Sequence, residues 1–119
     1  MIRLENLTKV FETPSGPVVA ADKVTMEVPA GEICVLLGPS GCGKTTVLKM
    51  VNRLVPPTSG KIFIDGKDTS QLNDVQLRRS IGYVIQQIGL FPNMTIEENI
   101  CVVPKLLGWE TARAKQRAA

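Results

Sequence analysis

Gly38-Pro39-Ser40-Gly41-Cys42-Gly43-Lys44-Thr45 is the stretch of this 119-residue chain on which the fold turns. It satisfies the pattern G-x-x-x-x-G-K-[ST] in full. Before it runs Ile33-Cys34-Val35-Leu36-Leu37, nearly continuous in apolar residues, as expected of a strand covered on both faces. After it, Val47, Leu48, Val51 and Leu54 recur on one face of a helix predicted from Gly43 to Leu54, leaving Lys49 and Arg53 for the other. Strand, glycine-rich turn and helix in that order predict a loop that grips polyphosphate. Glycine permits the turns that point successive N–H groups into one cavity, and the helix N-terminus adds unpaired donors and a favourable field. The candidate binding residues are Gly38, Pro39, Ser40, Gly41, Cys42, Gly43, Lys44 and Thr45. Lys44 is placed to reach the β- and γ-phosphates and the Thr45 hydroxyl to ligate Mg²⁺, with Thr46 adding a hydroxyl near the α-phosphate. A blander reading has the glycines merely turning a strand into a helix; it leaves the ordered combination of glycines, lysine and hydroxyl unexplained. By itself the motif specifies a nucleoside triphosphate site and suits kinases, GTPases, helicases and transport ATPases alike.

Upstream, Ile2, Leu4 and Leu7 alternate with Arg3, Glu5 and Asn6, which predicts an edge-like strand over residues 2–8. Phe11 follows, then the turn-rich Thr13-Pro14-Ser15-Gly16-Pro17, a second strand region over 18–28, and a turn at Pro29-Ala30-Gly31. Downstream, Pro56-Pro57-Thr58-Ser59-Gly60 stops the helix, Lys61–Ile64 reads as a short strand, and Asp65-Gly66 as a hairpin turn. A short helix is predicted over Asp74–Ser80, a buried strand over Ile81–Ile85, and loop over Gln86–Pro92. Thr95 and Glu98 match a capping box, predicting a helix through Ile100 towards Val103 that ends before Pro104. The alanine-rich, polar stretch Glu110–Ala119 reads equally as helix or frayed end, because a lone short helix is marginal in water.

The composition narrows the function classes. A 44% hydrophobic and 21% charged chain is an ordinary globular one, and 4% aromatic content leaves Val, Ile and Leu to build the core. The net charge of +3 rests on Arg113, Lys115 and Arg117 in the final segment, so the body is neutral and shows no basic run suited to nucleic acid. No stretch approaches the roughly 20 apolar residues of a membrane span, and the N-terminus lacks a basic region followed by an apolar one, so export is not expected. With no His, and with Cys34, Cys42 and Cys101 far apart, a zinc site and a histidine-based triad are excluded. Cys42 lies in the loop before a helix start, where a thiolate could be stabilised; it reads as a small space-filling residue rather than a redox centre.

As an ordered series, Leu7-Thr8-Lys9-Val10-Phe11, Pro29-Ala30-Gly31-Glu32, Gly38–Thr46, Pro57-Thr58-Ser59-Gly60, Asp65-Gly66 and Ile81-Gly82-Tyr83-Val84-Ile85-Gln86 closely resemble the first half of ABC transporter ATP-binding subunits. The resemblance covers essentially the whole chain. It implies an α/β P-loop NTPase fold: a partial ABC-type nucleotide-binding domain with an N-terminal antiparallel β subdomain, filling residues 1–119. It implies ATP and Mg²⁺ as cofactors, with Phe11 stacking on adenine, as a ring face can do. Gln86 takes the position of the family's glutamine that contacts Mg²⁺ or the attacking water, and the Tyr-Val-Ile-Gln register favours it over Gln87. The loop after it couples ATP to the membrane subunit, an ordered-or-released segment of the kind a switch needs. Leu90, Phe91, Pro92 and the helix from Thr95 are then expected to face a transmembrane permease subunit. Further partners implied are a second ATP-binding subunit, as a homodimer of the full-length protein, and indirectly a periplasmic or lipid-anchored solute-binding protein, on the cytoplasmic face of the membrane; an isolated chain would be soluble.

Lys49-Met50-Val51-Asn52-Arg53-Leu54, Ile85–Pro92 and Val103–Trp109 are similar to the glycine betaine, choline and osmoprotectant importers, with Asn52-Arg53 the most telling pair. An isolated Trp109 does not make an aromatic cage for a quaternary ammonium ion. The resemblance also calls for a signature sequence, an acidic pair and a switch histidine that cannot be assigned here, and Glu97-Glu98, at a capped helix start, does not stand in for the pair. The expectation is therefore ATP binding within an importer ATPase. Its alternatives are a truncated, catalytically inactive nucleotide-binding fragment, a cassette for another solute, or an interaction module that uses the fold without nucleotide.

Overall fold

In a computed structural model, all 119 residues are described, and they form two units, Met1–Ile81 and Gly82–Ala119. In the first, β1 (Ile2–Thr13) and β2 (Gly16–Val28) form an antiparallel hairpin; β3 (Ser59–Ile64) pairs antiparallel with the other side of β1, and β4 (Lys67–Asp68) with β3, giving the order β2-β1-β3-β4. β1 is thus an interior strand, not the edge-like strand expected over residues 2–8. Its alternation reports which face is buried, with Leu4 and Leu7 almost fully covered, and says nothing of how many neighbours the strand has. Asp65-Gly66 forms the expected hairpin turn between Ile64 and Lys67.

The ladder along β1 slips at Leu4/Leu7, Leu7/Lys9 and Lys9/Val10. Bulges leave amides without partners, and threonine hydroxyls accept them. Asn6 N–H donates to Thr25 Oγ1 at 2.9 Å, Lys23 N–H to Thr8 Oγ1 at 3.0 Å and Val10 N–H to Thr58 Oγ1 at 3.0 Å. Beside the bulge, Gly60 (φ 90°) lies so close to β1 that a Cβ would sit 2.4 Å from the Asn6 carbonyl oxygen. Pro57-Thr58-Ser59-Gly60 is not what stops the helix, which ends at Val51, short of the expected Leu54, with Arg53 at φ 57°; the segment instead stitches the chain back onto β1.

α1 (Lys44–Val51) packs on one face of the sheet. Val47 and Met50 meet Leu4, Leu7, Ala21 and Ile62 in one core cluster, each large side chain contributing about 1.5–3 kcal/mol of burial. This packing fixes the helix whose first two residues, Lys44 and Thr45, end the phosphate-loop motif. The preceding run Ile33–Leu37 has no regular structure and no ladder partner: Leu36 is half-buried against the core, while Ile33 is 93% and Leu37 88% exposed. The strand expected there is not formed, because a ladder needs a neighbour and none of these 119 residues supplies one. Further on come a 3₁₀ turn at Thr69–Gln71 and α2 (Asp74–Arg79), capped by the Asn73 side chain.

The second unit begins in irregular chain. Tyr83-Val84-Ile85 pairs with nothing and Val84 is 94% exposed, so the buried strand expected over Ile81–Ile85 is likewise absent, for the same reason. α3 (Ile96–Leu106) starts on the expected capping box, Glu98 N–H donating to Thr95 Oγ1 (3.2 Å) and Thr95 N–H to Glu98 Oε2 (2.7 Å). It runs through Pro104 instead of ending before it. The proline forfeits one bond in the last turn, and the end is closed two residues later by Gly108 N–H to the Lys105 carbonyl and Trp109 N–H to the Pro104 carbonyl, both 3.0 Å. α4 (Thr111–Ala118) is helical because it has a partner: Ala114 and, on α3, Cys101 are buried, and Lys115 reaches Glu97 at 3.5 Å.

Candidate functional site

The segment Gly38–Thr45 curls around its own lysine. Lys44 Nζ donates to the carbonyls of Gly38 (2.6 Å) and Pro39 (2.8 Å) and lies 3.3 Å from Cys42 Sγ. Gly43, the N-cap of α1 at φ 96°, is pressed against β2, where a Cβ would approach the Ala20 carbonyl oxygen to 2.0 Å. No side chain caps α1 and no acid occupies its first turn. The amides of Lys44, Thr45 and Thr46 are therefore the unpaired donors that every helix start carries, with their partial positive charge uncompensated. Ammonium and uncapped helix start belong to the same short segment.

Ser40, Gly41, Cys42 and Thr45 are exposed there, with Gly43, Lys44 and Thr46 half-buried. The hydrogen bond from Lys44 is the main reason the Cys42 thiol titrates below its usual range, outweighing the opposing desolvation. Cys42 is exposed, so it fills no core space; all three cysteines are free. Beside the loop, Val19, Ala20, Asp22, Leu37, Cys42 and Lys44 border an open cleft of about 450 Å³.

Phe11 stands in the same unit, on β1 opposite Val18, 39% exposed with the Lys9 ammonium 5.0 Å from its ring centroid. A ring so placed has apolar surface open to a planar ligand. Gln86 belongs to the second unit, at an exposed bend that follows Ile85, with Gln87 exposed beside it. The structure thus places Gly38 through Thr46 on one loop and the helix start that follows it, and puts Phe11 on the hairpin of that unit, whereas Gln86 lies on the other unit.

Other residues singled out in the sequence have internal roles. Asn52, 3% exposed, accepts the Leu54 N–H on Oδ1 at 3.1 Å. Arg53 donates to the Thr69 carbonyl (2.9 Å) and pairs with Asp74 (3.0 Å). Arg78, which no local pattern marks, donates to the carbonyls of Asn52 (3.3 Å) and Arg53 (3.1 Å) and also reaches Asp74. This network anchors the C-terminal end of α1, the helix whose other end carries Lys44. Trp109 is stacked by Arg113, 4.2 Å from its ring centroid, and stands alone as an aromatic. Glu98 is engaged in its cap and Glu97 by Lys115.

The sequence profile of ABC transporters matches residues 21–119. The osmoprotectant import ATP-binding protein OsmV of Salmonella typhimurium is 67% identical over 119 residues, covering 99% of this chain and 31% of that protein. The glycine betaine/carnitine/choline transport ATP-binding protein OpuCA of Bacillus subtilis is 52% identical over 118 residues, covering 99% of this chain and 30% of the relative. Among solved structures, a dimeric ATP-binding cassette in a post-hydrolysis state bound to ADP and Pi superposes with a TM-score of 0.86 at 32% identity, over 99% of this chain and 54% of its own. The chain thus spans about a third of the length of these curated relatives and about half of the solved cassette.

Proposed function

Since the chain belongs to the ABC transporter family and has the α/β P-loop fold of a partial ATP-binding cassette with an N-terminal antiparallel β subdomain, we propose that Gly38–Thr46 holds the polyphosphate of MgATP for a transport subunit. One observation carries this reading: the Lys44 ammonium rests on the Gly38 and Pro39 carbonyls beside the uncapped start of α1. Phosphate oxygens are better partners for that ammonium than neutral carbonyls, and the loop has donors to receive them. The residues fit the ligand. Amides of the loop and of Lys44, Thr45 and Thr46 would hold the phosphates, the Thr45 hydroxyl Mg²⁺, and the Phe11 ring the adenine. Gln86 would address Mg²⁺ or the attacking water. ATP supplies the phosphoanhydride bond whose cleavage drives transport.

Within a full subunit, the proposed partners are a second ATP-binding subunit and a transmembrane permease, with a solute-binding protein acting through the permease, at the cytoplasmic face of the membrane. No helix here is long and apolar enough to cross a membrane, which suits a peripheral position. Leu90 and Phe91, 61% and 52% exposed, are the apolar groups offered to the permease. The solute proposed is a quaternary-amine osmoprotectant; its support is the similarity to transporters named for such solutes, since Asn52 and Arg53 have internal partners.

A second reading, nucleotide binding without turnover by these 119 residues alone, is favoured by the engagement of Glu97 and Glu98 in the α3–α4 unit and by the lack of any His. Calorimetric titration with MgATP tests the site common to both readings. Lys44→Ala is expected to weaken binding about tenfold or more, as loss of charge-assisted hydrogen bonds does. Equal affinity in the two proteins removes the phosphate-loop assignment.

A further inference from the structure

Asn99, on the first turn of α3, has its side chain turned back onto the segment that leads into the helix. Its Oδ1 accepts the Phe91 N–H at 2.8 Å, and its Nδ2 donates to the carbonyls of Phe91 (3.2 Å), Met94 (3.3 Å) and Thr95 (2.9 Å). Phe91 is thus held at both its N–H and its C=O by one amide, as a neighbouring strand would hold it. The turn is closed further by Met94 N–H to the Phe91 carbonyl at 3.2 Å and by the Thr95 cap. Four backbone contacts from one side chain require a donor and an acceptor at the reach of asparagine. Aspartate would set a carboxylate against three carbonyl oxygens, and glutamine is longer by one methylene.

This ring of bonds fixes the backbone under Leu90 and Phe91, two apolar side chains left largely in water. Holding such groups in place before contact lowers the ordering cost of docking. We propose that Asn99 is the positioning residue of the permease contact: it presents Leu90 and Phe91 on a preformed platform without touching nucleotide or partner itself. The inference rests on the reading that this segment faces the permease.

The test uses the full-length subunit, alone and assembled with its permease in lipid nanodiscs. Asn99→Ala is expected to speed hydrogen exchange of the Phe91 amide about tenfold, the effect of losing hydrogen bonds that hold a local segment closed. Asn99→Ala and Asn99→Asp should each lower permease-stimulated ATP hydrolysis at saturating ATP by about tenfold, with MgATP affinity of the unassembled subunit changed less than about twofold. Stimulated turnover staying near wild type in both variants overturns the proposal. So does a parallel fall in the MgATP affinity of the unassembled subunit, which marks a general structural role. Phe91→Asp separates the two layers. If it leaves stimulation intact, the docking reading fails and the inference with it; if it abolishes stimulation while Asn99→Asp does not, the docking reading stands and the assignment of Asn99 falls.

Discussion

Gly43 has two reasons to be glycine, and the motif announced one of them. As the last glycine before Lys44 it reads as part of an anion-binding turn. The structure adds that its backbone, at φ 96°, is wedged against the Ala20 carbonyl of β2, a contact between residues 23 positions apart that no local pattern encodes. Gly41, at φ 81°, faces open space. An alanine at either position carries the cost of the left-handed region, about 1–2 kcal/mol, but at Gly43 it must also push β2 and the start of α1 apart. Denaturant unfolding is expected to show Gly43→Ala destabilised by at least about 2 kcal/mol more than Gly41→Ala, as overpacking against immobile backbone does. Equal losses would mean that the loop yields easily and that β2 does not fix its position. The same division holds elsewhere in the site: the type of residue at Lys44 and Thr45 was legible, whereas the partners of Asn52, Arg53 and Asn99 were not, because each is chosen by the fold and not by the neighbouring sequence.

A local signal suffices for the start of a helix and for a tight turn, less so for a helix end. The start of α3 follows from Thr95 and Glu98, three residues apart, and the Asp65-Gly66 turn from a dipeptide. α3 overran its expected end because proline forbids only its own N–H bond, and a glycine-based closure two residues later repaired the terminus. The cap also sets a pH dependence. Glu98 titrates below the usual glutamate range, chiefly because it accepts the Thr95 N–H and then because of the Thr95 hydroxyl. Its folded-state pKa is depressed, so its contribution is present above the unfolded value and is lost as pH falls through the folded one. Protection of the Glu98 and Asn99 amides, corrected for intrinsic exchange, should therefore decline on acidification through that window. Thr95→Ala should remove about 1 kcal/mol of that protection at neutral pH. Protection unchanged in the variant, or rising as the carboxylate is protonated, would contradict the role of the cap.

On the scale of the molecule, what escaped the sequence is pairing. Apolar continuity at Ile33–Leu37 and Tyr83–Ile85 marks chain that is suited to a buried sheet, but a ladder partner is a property of another segment. In the first unit Ile33, Val35 and Leu37 are 93%, 70% and 88% exposed, and in the second Val84 and Ile88 are 94% and 89%. Such runs offer apolar surface together with unpaired backbone donors and acceptors, the combination that recruits another chain, and a net charge of +3 opposes association only weakly. Sedimentation velocity of the 119-residue chain should therefore show species larger than the monomer that grow with concentration. Val35→Lys with Val84→Lys, one charge placed in each run, should shift the distribution back towards monomer. A chain continued into the remainder of a cassette should be monomeric at the same concentration before nucleotide is added, if later strands supply the missing ladders. A single sharp monomer for the unaltered 119 residues, with one cooperative unfolding transition, would show that these runs are stable in water as they stand and that nothing further is required to cover them.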